Sequence, residues 1–307
     1  MKSTIKKIIS MALLVFFILW FVYYLNSHSS DFKQLSLVNS AYIFYFIMIN
    51  FSFYITNGLL IKYFLEPFNI HLNIKEWFGL SILTSFYNTI TPFRGGSIAR
   101  ASYLKKKHGF SYASFLSTLI GIYVINVMIA SLLGIISMVL LYLKFDMFNY
   151  LILFIFIGLF ISTLIIVIIS PNLSNTQNKV FNVLIRVING WHLIRKNNKL
   201  VLTVSTIMVA QLMLGVLGTI LVYGLFDAHI GLIKSMFLVS VSYLGNFISI
   251  TPGALGISEA VQVFSALIVG ITPSQSLAAA LTGRAISLVL LIITGPLFSY
   301  LLFKRKI

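Results

Sequence analysis

Six stretches of this chain are apolar for long enough to cross a bilayer: 8–25, 41–61, 112–143, 148–170, 200–225 and 276–303. A helix rises about 1.5 Å per residue, so roughly 20 apolar residues bridge the hydrocarbon layer. Inside that layer a backbone must satisfy its own hydrogen bonds, and runs of this length can do so as helices. The chain has 307 residues, of which 59% are apolar and only 9% charged. Soluble domains carry about 25% charged residues. The expected class is therefore an all-α integral membrane protein, one polytopic domain over 1–307. The run 8–25 follows Lys2, Lys6 and Lys7. It is longer than a signal-peptide core of about 7–15 residues and no Ala-x-Ala site follows, so it is expected to be retained as a first span.

Two further apolar regions, 75–108 and 233–270, are broken in the same way. The first break reads Thr91-Pro92-Phe93-Arg94-Gly95-Gly96 and the second Thr251-Pro252-Gly253-Ala254-Leu255-Gly256. Short arms around a Pro/Gly tip predict re-entrant hairpins, or short two-span hairpins, whose irregular backbone must be covered by protein or line a cavity. The two Thr-Pro pairs lie 160 residues apart, and Gly96 and Gly256 keep that spacing. Each break lies between two long spans, giving repeat 1 over 41–143 and repeat 2 over 200–307. Segment 1–40 holds the N-terminal span, and 144–199 holds a connecting span and a cytoplasmic helix.

Charge sets the expected orientation. Lys62, Lys105–Lys107, Lys179, Arg186, Arg195, Lys196, Lys199 and Lys304–Lys306 fall on the same side as the N-terminal lysines. The positive-inside rule places that side, and both termini, in the cytoplasm, with the protein in the cell membrane. The two repeats then run in opposite senses across the bilayer. Such inverted repeats place a substrate site near the midplane, where interrupted helices meet. The net charge of +16 is read as attraction to anionic lipid headgroups rather than to nucleic acid. In 178–197, Val180, Leu184, Val187, Trp191 and Ile194 recur at helical spacing, which predicts an amphipathic helix lying on the cytoplasmic leaflet.

The tips supply the candidate residues. A helix restarts after each Thr-Pro, and its free N–H groups and partial positive charge suit an anion. Arg94 and Arg100 either hold a lipid phosphate or snorkel to the cytoplasmic surface with Lys105–Lys107. Arg284, ten residues after Ser274 and so deep in the last span, needs a partner, and Glu259 is the acid at hand. They form either a structural ion pair or a switch in which substrate phosphate displaces Glu259. A tip nearer the surface would make Glu259 a simple helix N-terminal charge. Asn88 and Asn246, with Tyr87 and Tyr243, line a polar cavity or satisfy the broken backbone. Cys is absent and the five histidines are scattered. No metal-ligand spacing, nucleophile triad or nucleotide-binding glycine loop is present, so no cofactor and no catalytic residue are expected.

These motifs resemble the lysylphosphatidylglycerol synthase transmembrane-region family of flippase-like membrane proteins. Pro92-Phe93-Arg94-Gly95-Gly96-Ser97-Ile98-Ala99-Arg100 is similar to that family's Pro-x-Arg-x-Gly-acid-x-x-Arg element. Thr251-Pro252-Gly253-Ala254-Leu255-Gly256-Ile257-Ser258-Glu259 is similar to its Pro-Gly-x-x-Gly-x-x-Glu element, and Arg284 matches the arginine of its last helix. Ser97, Tyr123 and Asn126 depart from it, standing where an acid, an Arg and an Asp are common. The resemblance implies a lipid translocase for a phospholipid, with aminoacylated phosphatidylglycerol one option, or for a polyprenyl-phosphate-linked lipid. The family's soluble aminoacyl-transferring domain has no counterpart in this sequence. The alternative is a non-catalytic membrane subunit that presents a lipid-linked substrate to a separate glycosyl- or aminoacyl-transferase. Candidate partners are thus membrane lipids, a separate synthase or glycosyltransferase, and a second copy of the chain in a homodimer.

Overall fold

A computed structural model of the protein describes residues 41–174, 176, 179–245 and 251–304. The predicted span 8–25, Asn246 and the last basic residues lie outside them. Among the described residues ten helices form and no strand. They are α1 (Ala41–Leu65), α2 (Ile74–Ile90), α3 (Gly95–His108), α4 (Tyr112–Phe145), α5 (Tyr150–Ile168), α6 (Lys179–Lys196), α7 (Asn198–Gly224), α8 (Leu232–Gly245), α9 (Ile257–Ile268) and α10 (Pro273–Phe303). Five of them, α1, α4, α5, α7 and α10, are long and apolar enough to span a membrane. Their bounds fall within a few residues of five of the six runs read from the sequence.

The broken regions form the expected paired short helices. With 17, 14, 14 and 12 residues, α2, α3, α8 and α9 each reach roughly 18–26 Å, short of the roughly 30 Å hydrocarbon layer. The element order long, short, break, short, long occurs twice, as α1–α4 and as α7–α10.

Their packing is reciprocal. Helix α1 lies on α7, and the two tips touch each other. The last helix of the second set, α10, packs on α2, while the last helix of the first set, α4, packs on α8. The first arm of each hairpin is thus covered by the other half's final helix. Close contact follows from small residues: Gly295 of α10 meets the Phe86 ring of α2, and Gly134 of α4 meets Phe156 of α5. The outward surface stays apolar, as in Leu151, Phe154 and Ile168 of α5, which are exposed. In lipid that exposure carries no penalty.

Helix α6 is amphipathic, but its stripe faces protein. Val187, Trp191 and Ile194 are buried, together with Ile185, where α6 packs on α4 and α7. Gly190 sits against the Ser117 side chain, and a Cβ at Gly121 would meet Trp191. Of the predicted leaflet-facing residues, Leu184 is exposed, beside Phe181 and Val183. Arg195 donates from Nε to the Val167 carbonyl at 2.9 Å, satisfying an orphan acceptor at the end of α5. The helix had two apolar surfaces to place: Ile185, Val187, Trp191 and Ile194 go to protein, while Phe181, Val183 and Leu184 stay exposed.

Candidate functional site

Both tips are built by the same backbone device. Thr91 ends α2 in an extended conformation, φ −121° and ψ 145°, as the residue before a proline must. Two left-handed residues follow in each tip: Phe93 (φ 53°) with Arg94 (φ 55°), and Gly253 (φ 58°) with Ala254 (φ 53°). Left-handed backbone is costly for side-chain-bearing residues, so both turns hold strain that the surrounding packing must sustain. Helix α3 then starts against α2. A Cβ at Gly96 would lie 1.9 Å from the Thr84 carbonyl oxygen, so only glycine fits. The tips meet at Gly253, where a Cβ would lie 3.4 Å from the Thr89 carbonyl oxygen and 3.3 Å from Arg284 Nη1.

The second tip is electrostatically self-contained. Glu259 Oε1 lies 2.5 Å from Arg284 Nε, and Arg284 Nη2 donates to Ser258 Oγ at 2.5 Å. The other carboxylate oxygen accepts the Gly256 N–H at 2.7 Å. Glu259, buried at 7% exposure, therefore caps α9 and pairs with α10 at once. The expected Glu259–Arg284 pair forms, and the same carboxylate also serves the helix N-terminus. The third guanidinium nitrogen, Nη1, is the one beside Gly253.

A cleft of about 370 Å³ opens there, between α1, α7, α10 and the tips. Its polar lining is Asn50, Thr89, Thr219, Gln262, Arg284 and Ser287, set among Phe46, Phe53, Leu288 and Leu291. That size and mixture suit a ligand headgroup. Ser287 donates to Asn50 Oδ1 at 2.9 Å, joining α10 to α1 across the cleft wall.

The first tip is different. Arg94 Nη1 donates to the Tyr123 hydroxyl at 2.6 Å, with its guanidinium carbon 5.2 Å from the Tyr123 ring centroid. Arg100 is 5% exposed, and its guanidinium lies 5.3 Å over the Phe115 ring. Being buried, it does not follow Lys105–Lys107 to the surface. Neither arginine lines the cleft. The predicted residues thus divide into two groups, Arg284 with Glu259 at the cleft and Arg94 with Arg100 beside α4. Asn88 lies against Gly96, its Oδ1 buried without a hydrogen-bond partner. Tyr87 bonds Ser299 across to α10, and the Tyr243 hydroxyl is buried without a partner. Among the described residues no group of His, Cys, Asp or Glu could hold a metal ion.

A second polar cluster went unread in the sequence. At the base of the first hairpin, Glu76 Oε1 takes Lys107 Nζ at 2.8 Å, His108 Nε2 at 3.0 Å and the Tyr103 hydroxyl at 2.9 Å. Its Oε2 accepts from Asn73 N at 3.2 Å, completing a capping box at the start of α2. The signal was present as Asn73 followed three residues later by Glu76.

The model of the family described as "Lysylphosphatidylglycerol synthase TM region" matches residues 7–295. The chain belongs to that family. Both tips, the cleft and the Glu259–Arg284 pair all lie inside the matched range. No curated protein and no solved structure gives a significant match. Membership of this family, with five apolar spanning helices, makes the chain a multi-pass membrane protein with a lipid-related role.

Proposed function

We propose that this protein moves a phosphate-bearing lipid between leaflets. The substrate is a phospholipid, aminoacylated phosphatidylglycerol included, or a polyprenyl-phosphate-linked lipid. The observation that carries the reading is the cleft at the junction of the two broken hairpins, with Arg284 in its wall. One edge of that guanidinium is held by Glu259 and Ser258, and the other faces Gly253. A headgroup in the cleft meets a cation that is already oriented, while its tails remain in lipid. A phosphate there competes with Glu259 for Arg284, and a cationic headgroup gives the released carboxylate a partner. The repeated element order and reciprocal packing support two halves rocking about the tips, in the manner of inverted-repeat transporters in the cell membrane.

The alternative is a membrane subunit that holds a lipid-linked substrate for a separate transferase. The exposed Phe181, Leu184 and Arg186 of α6 offer such an enzyme a mixed apolar and basic surface. Reconstitution separates the two. Purified protein in vesicles with a fluorescent phosphatidylglycerol is scored for exposure of the label in the outer leaflet. Translocation by the wild type that falls at least tenfold in Arg284→Gln supports a translocase. No movement by the wild type, with a co-purifying soluble synthase, supports the subunit.

A further inference from the structure

The cleft at the tips carries a single charge of its own. Among the described residues Arg284 is the one ionisable group in its lining. The hydroxyls around it have their protons engaged. Thr89 donates to the Ser85 carbonyl at 2.8 Å, and Thr219 to the Gly215 carbonyl at 2.9 Å. Ser287 has the Gly283 carbonyl and Asn50 Oδ1 as acceptors, both at 2.9 Å. A hydroxyl has one proton and two lone pairs. What these three groups turn to a ligand is therefore lone pairs.

Gln262 and Arg284 supply donors. Gln262 stands three positions past Glu259 on α9 and lines the cleft, and its amide has no hydrogen-bond partner among the described residues. Arg284 Nη1, beside Gly253, has none either. The other two guanidinium nitrogens are taken by Glu259 and Ser258. Both oxygens of Glu259 are occupied as well, Oε1 by Arg284 and Oε2 by the Gly256 N–H and the Ser258 hydroxyl. While that pair stands, an ammonium headgroup in the cleft faces the Arg284 charge and finds no free carboxylate. A headgroup bearing hydroxyls instead gives its protons to the free lone pairs. Polar groups that stay unpaired against a ligand cost binding, so such a lining rejects a headgroup without hydroxyls.

We infer that the cleft selects a phosphate diester whose headgroup is an uncharged polyol, a glycerol or a sugar. A phosphate oxygen takes Arg284 Nη1, and the headgroup hydroxyls donate to Thr89, Thr219 and Ser287. Gln262 reads the headgroup, because its amide both donates to a hydroxyl and accepts from one, where a carboxylate at the same place would favour an amine. The cleft volume of about 370 Å³ is at the lower end of the roughly 300–1,000 Å³ of ligand pockets, which suits one small headgroup. This selectivity rests on the cleft being the headgroup site proposed above, but not on the lipid being moved.

Binding, not movement, is what tests it. The full chain is placed in nanodiscs holding equal parts of phosphatidylglycerol, phosphatidylethanol and phosphatidylethanolamine, and retained lipids are counted by native mass spectrometry. Phosphatidylethanol has the charge of phosphatidylglycerol without its headgroup hydroxyls. Comparing those two removes the general attraction of a chain of net charge +16 for anionic lipid. In a second set a polyprenyl phosphoglucose replaces phosphatidylglycerol. Wild type is expected to retain the hydroxylated lipid at least fivefold over both others, in the first set if the ligand is a glycerol lipid and in the second if it is a sugar lipid. Thr219→Val, which keeps the shape and loses the lone pairs, is expected to lower that preference several-fold. Gln262→Glu is expected to turn it toward phosphatidylethanolamine at least tenfold. If Gln262→Glu does not fold, Thr219→Val decides. A wild type that retains phosphatidylethanol or phosphatidylethanolamine as well as the hydroxylated lipid in both sets overturns the inference, as do folded variants with the wild-type preference. A wild type that shows the preference yet moves no lipid in vesicles leaves the selectivity standing and removes only the translocase.

Discussion

Glu259 reaches Arg284 Nε at 2.5 Å with one oxygen and the Gly256 N–H at 2.7 Å with the other. A single carboxylate thus closes the start of α9 and neutralises a cation on α10. Removing one partner leaves a buried charge, at a cost of about 3–5 kcal/mol, whereas removing both restores part of it. Glu259→Gln is expected to lower thermal stability in detergent more than the Glu259→Gln, Arg284→Met double variant. Simple additivity in that double-mutant cycle would show that the pair is not coupled.

Gly96 and Gly109 make a contrasting pair. A methyl group at Gly96 meets the Thr84 backbone 1.9 Å away, whereas Gly109 has nothing within 4 Å but holds φ at 65°. Gly96→Ala is expected to prevent accumulation of folded protein. Gly109→Ala pays only the left-handed backbone strain, about 1–2 kcal/mol. Size-exclusion profiles and melting curves of the two variants check the order, and equal behaviour would contradict the observed α2–α3 contact.

Glu76 carries the pH dependence of the hairpin base. Burial would raise its carboxyl, but hydrogen bonds from Lys107, Asn73, Tyr103 and His108 outweigh that and hold it down at about 2. A carboxyl lowered on folding stabilises the fold above its unfolded value of about 4.3, and that stabilisation is lost as pH falls toward 2. The upper bound is roughly 3 kcal/mol, reduced because Lys107 is half exposed and screened. The wild type is expected to lose thermal stability between about pH 4.5 and 2, and Glu76→Gln to be less stable at neutral pH with a flatter profile there. A parallel profile in the variant would remove Glu76 from the account.

Trp191 separates a helix docked on protein from one lying on lipid. It is 5% exposed, while Phe181 on the same helix is 58% exposed. With Trp20 and Trp77 replaced by Phe, brominated lipids are expected to quench Trp191 weakly and a Phe181→Trp probe, in a further Trp191→Phe background, strongly. Strong quenching of Trp191 would place the α6 stripe on the leaflet instead.

Helix existence was legible from runs of apolar residues, because in a bilayer length and hydropathy alone decide what can span. The breaks at Thr91-Pro92 and Thr251-Pro252 were legible as well, because proline and glycine act locally. Contacts between distant residues were legible only where chemistry left one choice. Arg284, deep in an apolar helix, had Glu259 as the acid at hand. The bond from Arg94 to Tyr123 was not legible, since a tyrosine twenty-nine residues away competes with many other acceptors. Helix α6 shows the same limit. Its periodicity revealed an apolar stripe, but protein and lipid present the same apolar surface to such a stripe.

The exchange of final helices between the halves sets the order in which the protein can be completed. During synthesis α2 emerges early, yet the helix that packs over it, α10, is the last of the described helices to be made. Until then the first hairpin holds a polar tip, a strained turn and a close-packed glycine face without its cover. The membrane-insertion machinery must therefore shelter an incomplete half, and any truncation before α10 leaves α2 of the first hairpin without its cover and open to quality-control proteolysis.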